Sequence, residues 1–313
     1  MASDQRTRSA HGRDAVPAEE LSRLDPTGVL ARVRDVVVFS SAYIAAIAAL
    51  EVVLVMLVLD LSASLAPVMV GCVTFTIYAY DRVIDVDADA LSAPRRTAFV
   101  ERHRRSLSAL AAISYGIAVA IAVVGGPLAT ILALFPAAVW VLYGVDWAPE
   151  IVGSVGRLKD VLVVSSVLVA VAWGVTVVLV PIAIVGGPIT LPAWILVGYF
   201  AVGTFVGAEI SNARDVAADA ASDVATLPGA VGLAATRRLL YTFLAGGLSL
   251  LILGLALGQL GIVTTIALSV GLLAMAGVVA ALDTEVADST LAIWGECARL
   301  PSLIFMFLAG SLA

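Results

Sequence analysis

Long apolar runs alternate with short polar stretches along most of the chain after about residue 36. Each run is long enough to cross a hydrocarbon core of roughly 30 Å as a helix. The nine runs lie near residues 37–60, 63–80, 107–125, 127–145, 160–182, 190–210, 237–257, 261–282 and 292–312. The pattern therefore predicts an all-α polytopic membrane protein, built as a bundle of nine transmembrane helices.

Residues 1–35 have a different character. They are rich in Arg, Asp, Glu, Ser and Pro and show no apolar period, which is typical of a segment that cannot bury enough surface to fold. No apolar stretch near the start resembles the core of a cleaved signal peptide. We predict a disordered cytosolic tail over 1–35, followed by one transmembrane domain over 36–313.

Composition agrees with a membrane protein. Hydrophobic residues make up 61% of the 313 residues and charged residues only 13%, whereas soluble domains are about half apolar and a quarter charged. The net charge is −6, and no basic surface suited to nucleic acid is evident. The lipid bilayer is the predicted surrounding partner.

Basic residues are confined almost entirely to alternate polar stretches. Of the 18 lysine and arginine residues, 17 lie in or beside the tail and the stretches 81–106, 146–159 and 211–236. Because basic loops stay on the cytoplasmic side, we predict a cell-membrane protein with a cytoplasmic N-terminus and an external C-terminus.

Two stripes of aspartates follow the second and the sixth apolar run. The first comprises Asp81, Asp85 and Asp89, and the second comprises Asp215, Asp219 and Asp223. A spacing of four places neighbouring carboxylates about 6 Å apart on one helix face, where they repel one another unless a cation lies among them. Mg²⁺ typically binds one or two carboxylates together with substrate phosphates, so the stripes suggest a divalent-cation site.

Both stripes are predicted to lie on the cytosolic side. Four spans separate them, so the two halves of the chain run in the same direction, like parallel repeats related by an axis along the membrane normal. Such a bundle would enclose a central cavity with the stripes facing each other across it.

The second stripe carries a family resemblance. The residues Asn212-Ala213-Arg214-Asp215, then Asp219, then Thr226-Leu227-Pro228 resemble the second motif of the UbiA superfamily of intramembrane prenyltransferases, N-x-x-D-x-x-x-D followed by G-x-x-T-L. Asp223 stands where the family usually has Gly. The first stripe resembles the family motif N-D-x-x-D-x-x-x-D, with Asp81 in place of the Asn and Arg82 in place of the first Asp.

The resemblance implies transfer of an isoprenyl chain from a prenyl diphosphate to a lipophilic acceptor, with Mg²⁺ as cofactor. It implies Mg²⁺ binding by Asp85, Asp89, Asp215 and Asp219, which with Lys159 are the candidate catalytic residues. The implied substrate-binding residues are Asp81, Asn212, Arg157, Arg95, Arg214 and Tyr80.

Several of these residues have a second interpretation. Arg157 and Lys159 would also serve as positive-inside anchors, and Arg214 would neutralise a neighbouring aspartate. Tyr80 would fit an interfacial aromatic belt as well as a wall that stabilises an allylic cation.

Three charged residues interrupt apolar runs. Glu51 lies in the middle of the first run, and Glu296 and Arg299 lie one helical turn apart in the ninth. That spacing predicts an ion pair between Glu296 and Arg299.

Two other functional classes stay open at this stage. A secondary transporter would also carry intramembrane carboxylates, although on broken helices near the bilayer midplane. A family member that binds isoprenoids without catalysis would fit the altered first motif. The acceptor is likewise open among a quinone-precursor aromatic, a haem, a chlorophyllide, a glycerol phosphate lipid and a carotenoid.

Overall fold

The computed structural model describes residues 26–86, 93–144, 163–221, 226–283 and 288–312, and these contain helices but no strand. The α-helices are α1 Pro26–Phe39, α2 Ala42–Val58, α3 Ala66–Ile84, α4 Pro94–Val124, α5 Pro127–Gly144, α6 Val164–Val185, α7 Leu191–Ala221, α8 Leu227–Val231, α9 Leu233–Ala256, α10 Ile262–Ala280, α11 Asp288–Cys297 and α12 Leu300–Leu312. A short 3₁₀ turn, Ala281–Asp283, follows α10.

The predicted class, an all-α multi-pass membrane protein, is confirmed. Within the described ranges, six segments are long and apolar enough to cross a membrane. They are Pro94–Val124, Val164–Val185, Leu191–Arg214, Leu233–Ala256, Ile262–Ala280 and Thr290–Ser311. A bent pair formed by α1 and α2 raises the number to seven, and the full count of nine stays a prediction.

The first predicted span is bent rather than straight. The axes of Val29–Phe39 and Ala42–Val58 differ by 69°, and the bend coincides with Ser41, whose φ of 64° lies in the left-handed region. A residue in that conformation cannot continue a right-handed helix. Helix α1 begins at Pro26, inside the segment predicted as tail.

The two aspartate stripes differ in how far the preceding membrane helix continues through them. Helix α7 continues without a break through Asp215 and Asp219 to Ala221, so the second stripe extends a membrane helix. Helix α3 ends at Ile84, and the backbone N–H of Asp85 still donates to the Asp81 carbonyl at 2.9 Å. The helical spacing assumed for Asp81 and Asp85 is therefore present.

Small residues allow the central helices to pack closely. A Cβ added at Gly174 of α6 would lie 2.6 Å from the backbone oxygen of Val197 in α7. Helices in membranes commonly approach through such small residues. This contact fixes α6, which contributes one wall of the cavity described next, against the motif-bearing helix α7.

Candidate active site

One cavity of about 1140 Å³ lies among helices α1, α2, α3, α4, α5, α6, α7 and α11. Its lining changes character along α3, from Val70 and Val73 through Tyr78 to Asp81 and Arg82. The change repeats along α6, from Val177 through Trp173 to Ser166. We call the polar end the mouth and the apolar end, formed by Val70, Val73 and Val177, the floor.

The cavity is deep enough to hold a hydrocarbon chain. Eleven residues separate Asp81 from Val70 on one helix, which corresponds to about 16 Å along its axis. A charged head group at the mouth and an apolar chain toward the floor would therefore fit the same cavity.

Positive charge dominates the mouth. The described lining residues include five arginines: Arg34, Arg82, Arg95, Arg96 and Arg214. Asp35 accepts from Arg34 at 2.8 Å and from Arg95 at 3.4 Å, so one carboxylate orients two of these guanidinium groups. A cleft lined by one sign of charge attracts ligands of the opposite sign, and this mouth is suited to an anion.

The structure brings four predicted substrate-binding residues to this single cavity, namely Asp81, Arg95, Asn212 and Arg214. The Asn212 amide donates to the Ser166 hydroxyl at 3.4 Å, and the Trp140 indole donates to the Asp81 carboxylate at 3.5 Å. Residues from both motifs therefore line one cavity.

The other predicted site residues do not line the cavity or lie outside the described residues. Asp85 is half-buried at the end of α3 and is not a lining residue. The Tyr80 hydroxyl donates to the Ser108 carbonyl of α4 at 3.4 Å, while its neighbour Tyr78 lines the cavity. The side chains of Asp215 and Asp219 lie outside the described residues, as do the whole of Asp89, Arg157 and Lys159.

The donor chemistry of the mouth fits Mg²⁺. Asp81 and Asn212 carry side-chain oxygen atoms, the ligand type that hard cations prefer, and the described lining contains no histidine or cysteine. No group of three or more acidic, histidine or cysteine side chains is close enough to hold a metal within the described part of the chain. Four of the stripe aspartates have side chains outside that part.

A buried polar network lies below the mouth, and it joins residues that the sequence did not pair with one another. The Glu51 carboxylate accepts from Arg299 Nε at 2.6 Å and from Trp173 Nε1 at 2.7 Å. The Glu51 and Arg299 side chains are only 2% and 3% exposed. The predicted pair between Glu296 and Arg299 is therefore wrong, because Arg299 binds a residue of α2 instead.

Aromatic side chains line the cavity between mouth and floor. Tyr78 and Trp173 meet edge to face, with ring centroids 6.5 Å apart. The sequence does not indicate that Trp173 lines the cavity, because its indole is held by a hydrogen bond to Glu51, which is distant in the chain. The two rings separate the arginine-rich mouth from the aliphatic floor.

The described helices form a membrane bundle whose cavity has a cationic mouth and an apolar floor, a shape suited to an amphiphile with an anionic head group. The chain belongs to the UbiA prenyltransferase family, which it matches over residues 35–307. No curated protein shows significant sequence similarity to it.

Solved structures share the fold at low identity. An apo UbiA homologue from Aeropyrum pernix K1 is 15% identical with a TM-score of 0.65, over 85% of this chain and 98% of that one. A UbiA homologue from Archaeoglobus fulgidus bound to GPP and Mg²⁺ is 13% identical with a TM-score of 0.64, over 88% and 99%. A digeranylgeranylglyceryl phosphate synthase is 14% identical with a TM-score of 0.59, over 88% and 97%.

Proposed function

We propose that this protein is an intramembrane prenyltransferase, which moves an isoprenyl chain from a prenyl diphosphate to a lipophilic acceptor. The observation that carries the proposal is a cavity with five arginines among the described residues at its mouth and an apolar floor about 16 Å away. Membership of the UbiA prenyltransferase family supports it. So do the Archaeoglobus fulgidus homologues, which were solved with GPP or DMAPP and Mg²⁺.

The mouth would bind the diphosphate. Arg95, held by Asp35, and Arg214, beside Asn212, would contact its oxygens, because guanidinium groups form paired hydrogen bonds with phosphates. Arg157 and Lys159 precede α6, whose first turn lines the cavity at Ser165 and Ser166. We assign both basic residues to the same diphosphate.

The aspartates would hold Mg²⁺. Its ligands would be Asp85, Asp89, Asp215 and Asp219, with Asp81 and Asn212 beside the head group. Bound there, Mg²⁺ would neutralise the charge that grows on the diphosphate as its C–O bond breaks. Asp215 and Asp219 are four residues apart on the continuous helix α7, which places them on one face.

The rest of the cavity would shield the reacting carbon. The aliphatic floor holds the isoprenyl chain and excludes water, which would otherwise convert an allylic cation to an alcohol. Tyr78 and Trp173 lie between the floor and the mouth, where their ring faces can stabilise positive charge. The N-terminus would face the cytoplasm of the cell, so that the diphosphate enters from the aqueous side.

The test uses purified full-length protein in lipid nanodiscs, with labelled geranylgeranyl diphosphate, Mg²⁺ and a lipid extract of the source membranes. We expect a prenylated lipid, identified by mass, that is absent when EDTA replaces Mg²⁺. Asp219→Asn should lower the rate at least about 100-fold, comparable to the loss of one preorganised electrostatic group.

Asp87→Asn is the matched control, because Asp87 lies off the stripe, and its rate should match that of the parent. Binding of the labelled donor without any product would identify an isoprenoid-binding protein that is not an enzyme. Ion flux without donor binding would instead identify a transporter.

A further inference from the structure

Glu296 of α11 is a cavity-lining acid that the proposed mechanism does not use. Glu296 is half-buried, and within the described residues no hydrogen bond or ion pair involves its carboxylate. An ionisable group inside a membrane protein is costly to keep. Because Glu296 faces the cavity, a bound substrate can supply a hydrogen-bond partner for it.

Three charged groups act electrostatically on Glu296, namely Arg299, Glu51 and Arg82. The Arg299 Nε–H is taken up by Glu51 at 2.6 Å, and the other Glu51 oxygen accepts from Trp173 at 2.7 Å. Each oxygen of the Glu51 carboxylate therefore accepts from one donor. The Glu296 carboxylate accepts from none of the described residues.

Glu296 lines the same cavity as two tyrosines, Tyr43 and Tyr78. Glu296 interacts electrostatically with Tyr43 and Tyr78, which also line the cavity. Tyr78 lies one helical turn below Asp81 and Arg82 at the mouth. If the diphosphate occupies the mouth, as proposed above, the first carbon of the isoprenyl chain reaches the depth of these side chains.

Resting on that function, we propose that Glu296 is the catalytic base for a hydroxyl-bearing acceptor, an alcohol or a phenol. The acceptor oxygen forms the new bond to the first carbon of the isoprenyl chain. The bond from that carbon to the diphosphate breaks, and its electron pair leaves with the diphosphate. The hydroxyl proton passes to a Glu296 carboxylate oxygen, so the product is a prenyl ether.

The carboxylate also selects the acceptor class. A hydroxyl group would donate a hydrogen bond to Glu296, whereas a polyene hydrocarbon would cover the carboxylate without supplying a donor. Sites that bind a substrate hydroxyl through a buried polar group reject analogues without it by several orders of magnitude. The cavity should therefore discriminate against acceptors that lack an O–H group.

The first test compares two acceptor mixtures and needs no knowledge of the acceptor. Wild-type protein in nanodiscs receives labelled geranylgeranyl diphosphate, Mg²⁺ and either a native membrane lipid extract or the same extract after acetylation of its hydroxyl groups. We expect an ether-linked product from the native extract and at least a tenfold lower yield after acetylation. Equal yields, or a carbon–carbon linkage, would overturn the proposal.

The second test uses variants. Glu296→Gln should lower the rate of transfer at least 100-fold, while binding of the slow-reacting thiolo analogue of geranylgeranyl diphosphate with Mg²⁺ changes less than twofold. Glu296→Asp should recover part of the rate. Glu209→Gln is the control, because Glu209 is fully buried and without a hydrogen-bond partner yet does not line the cavity.

The outcomes separate the two proposals. Transfer that persists in Glu296→Gln, with wild-type donor binding, would overturn the role of Glu296 and leave the prenyltransferase assignment intact. Wild-type protein that neither binds the donor analogue nor yields a product would overturn the prenyltransferase assignment, and the role of Glu296 with it.

Discussion

At the residue scale, the pair between Glu51 and Arg299 shows how tertiary packing overrides local spacing. Glu296 and Arg299 have the separation of a helical ion pair, but α11 ends at Cys297 and Arg299 lies in the turn before α12. Arg299 instead packs over Gly203, where an added Cβ would lie 2.8 Å from its Cδ. From there its guanidinium reaches Glu51.

Removing one partner of this pair should destabilise the protein. Arg299→Met leaves a buried carboxylate with no counter-ion, and breaking a buried pair in this way costs about 3–5 kcal/mol. The double variant Glu51→Leu/Arg299→Met should regain more than half of the loss, since an apolar replacement of both charges is close to neutral. Thermal unfolding in detergent measures both effects.

Arg105→Met is the control for that experiment, because Arg105 is exposed on α4 and its loss should leave the melting temperature unchanged. A melting temperature for Arg299→Met equal to that of the parent would show that the pair contributes nothing to stability.

At the scale of elements, the bend between α1 and α2 positions part of the mouth. It turns one face of α1 toward the cavity, where Arg34, Asp35 and Phe39 line it. The opposite face exposes Val29, Val33 and Val36. The bend therefore gives α1 a polar side for the substrate and an apolar side for the surrounding lipid.

Ser41→Gly should stabilise this bend. A left-handed conformation costs a residue with a Cβ about 1–2 kcal/mol, and the buried Ser41 hydroxyl has no hydrogen-bond partner in the described structure. We expect a gain of roughly 1 kcal/mol in thermal unfolding, whereas Ser41→Val, with a branched side chain at the same φ, should lower the stability.

Ser40→Gly provides the comparison. The Ser40 hydroxyl accepts from the Ala42 backbone N–H at 3.4 Å, and Ser40 has no positive φ to relieve, so this variant should be less stable than the parent. Stabilisation by both glycines would show that the gain does not come from the conformation of Ser41.

The sequence predicts the helices better than it predicts their ends. Hydropathy marks where apolar residues stop, but backbone hydrogen bonding does not stop there. Helix α7 continues from the apolar run ending near 210 to Ala221, and α4 begins at Pro94 within a stretch predicted as loop. The bend at Ser41 is invisible to hydropathy, because two serines barely interrupt the apolar run around them.

At the scale of the whole molecule, the arginine-rich mouth agrees with the lopsided distribution of basic residues along the sequence. Polar residues from α1, α3, α4, α6, α7 and α11 reach one end of a single cavity. The orientation of that end toward the cytoplasm is a prediction of the positive-inside rule.

Cysteine labelling in intact cells tests this orientation. In a background without the native Cys72 and Cys297, Val124→Cys and Thr190→Cys lie at the ends opposite to the mouth and should react with a membrane-impermeant maleimide. Ala98→Cys, exposed near the start of α4, should react only after the cells are opened. Labelling at 98 from outside would reverse the predicted topology.

The sequence predicts the fold class, the family and much of the mouth. Local sequence patterns are enough to predict part of the mouth, because four of its residues lie in or beside the two motifs: Asp81, Arg95, Asn212 and Arg214. Arg34, Trp173 and Glu296 have no motif and reach the cavity only through the packing of α1, α6 and α11. Their contribution depends on contacts between distant parts of the chain, which one sequence does not reveal.

The pair between Glu51 and Arg299 also has a consequence for biosynthesis. The two residues are 248 positions apart, and a ribosome that adds about 5–20 residues per second needs roughly 12–50 s to cover that distance. For that interval, α2 carries a carboxyl group whose guanidinium partner does not yet exist. The synthesis of the segment around Arg299 supplies that partner, so this buried ion pair can form only late in the synthesis of the chain.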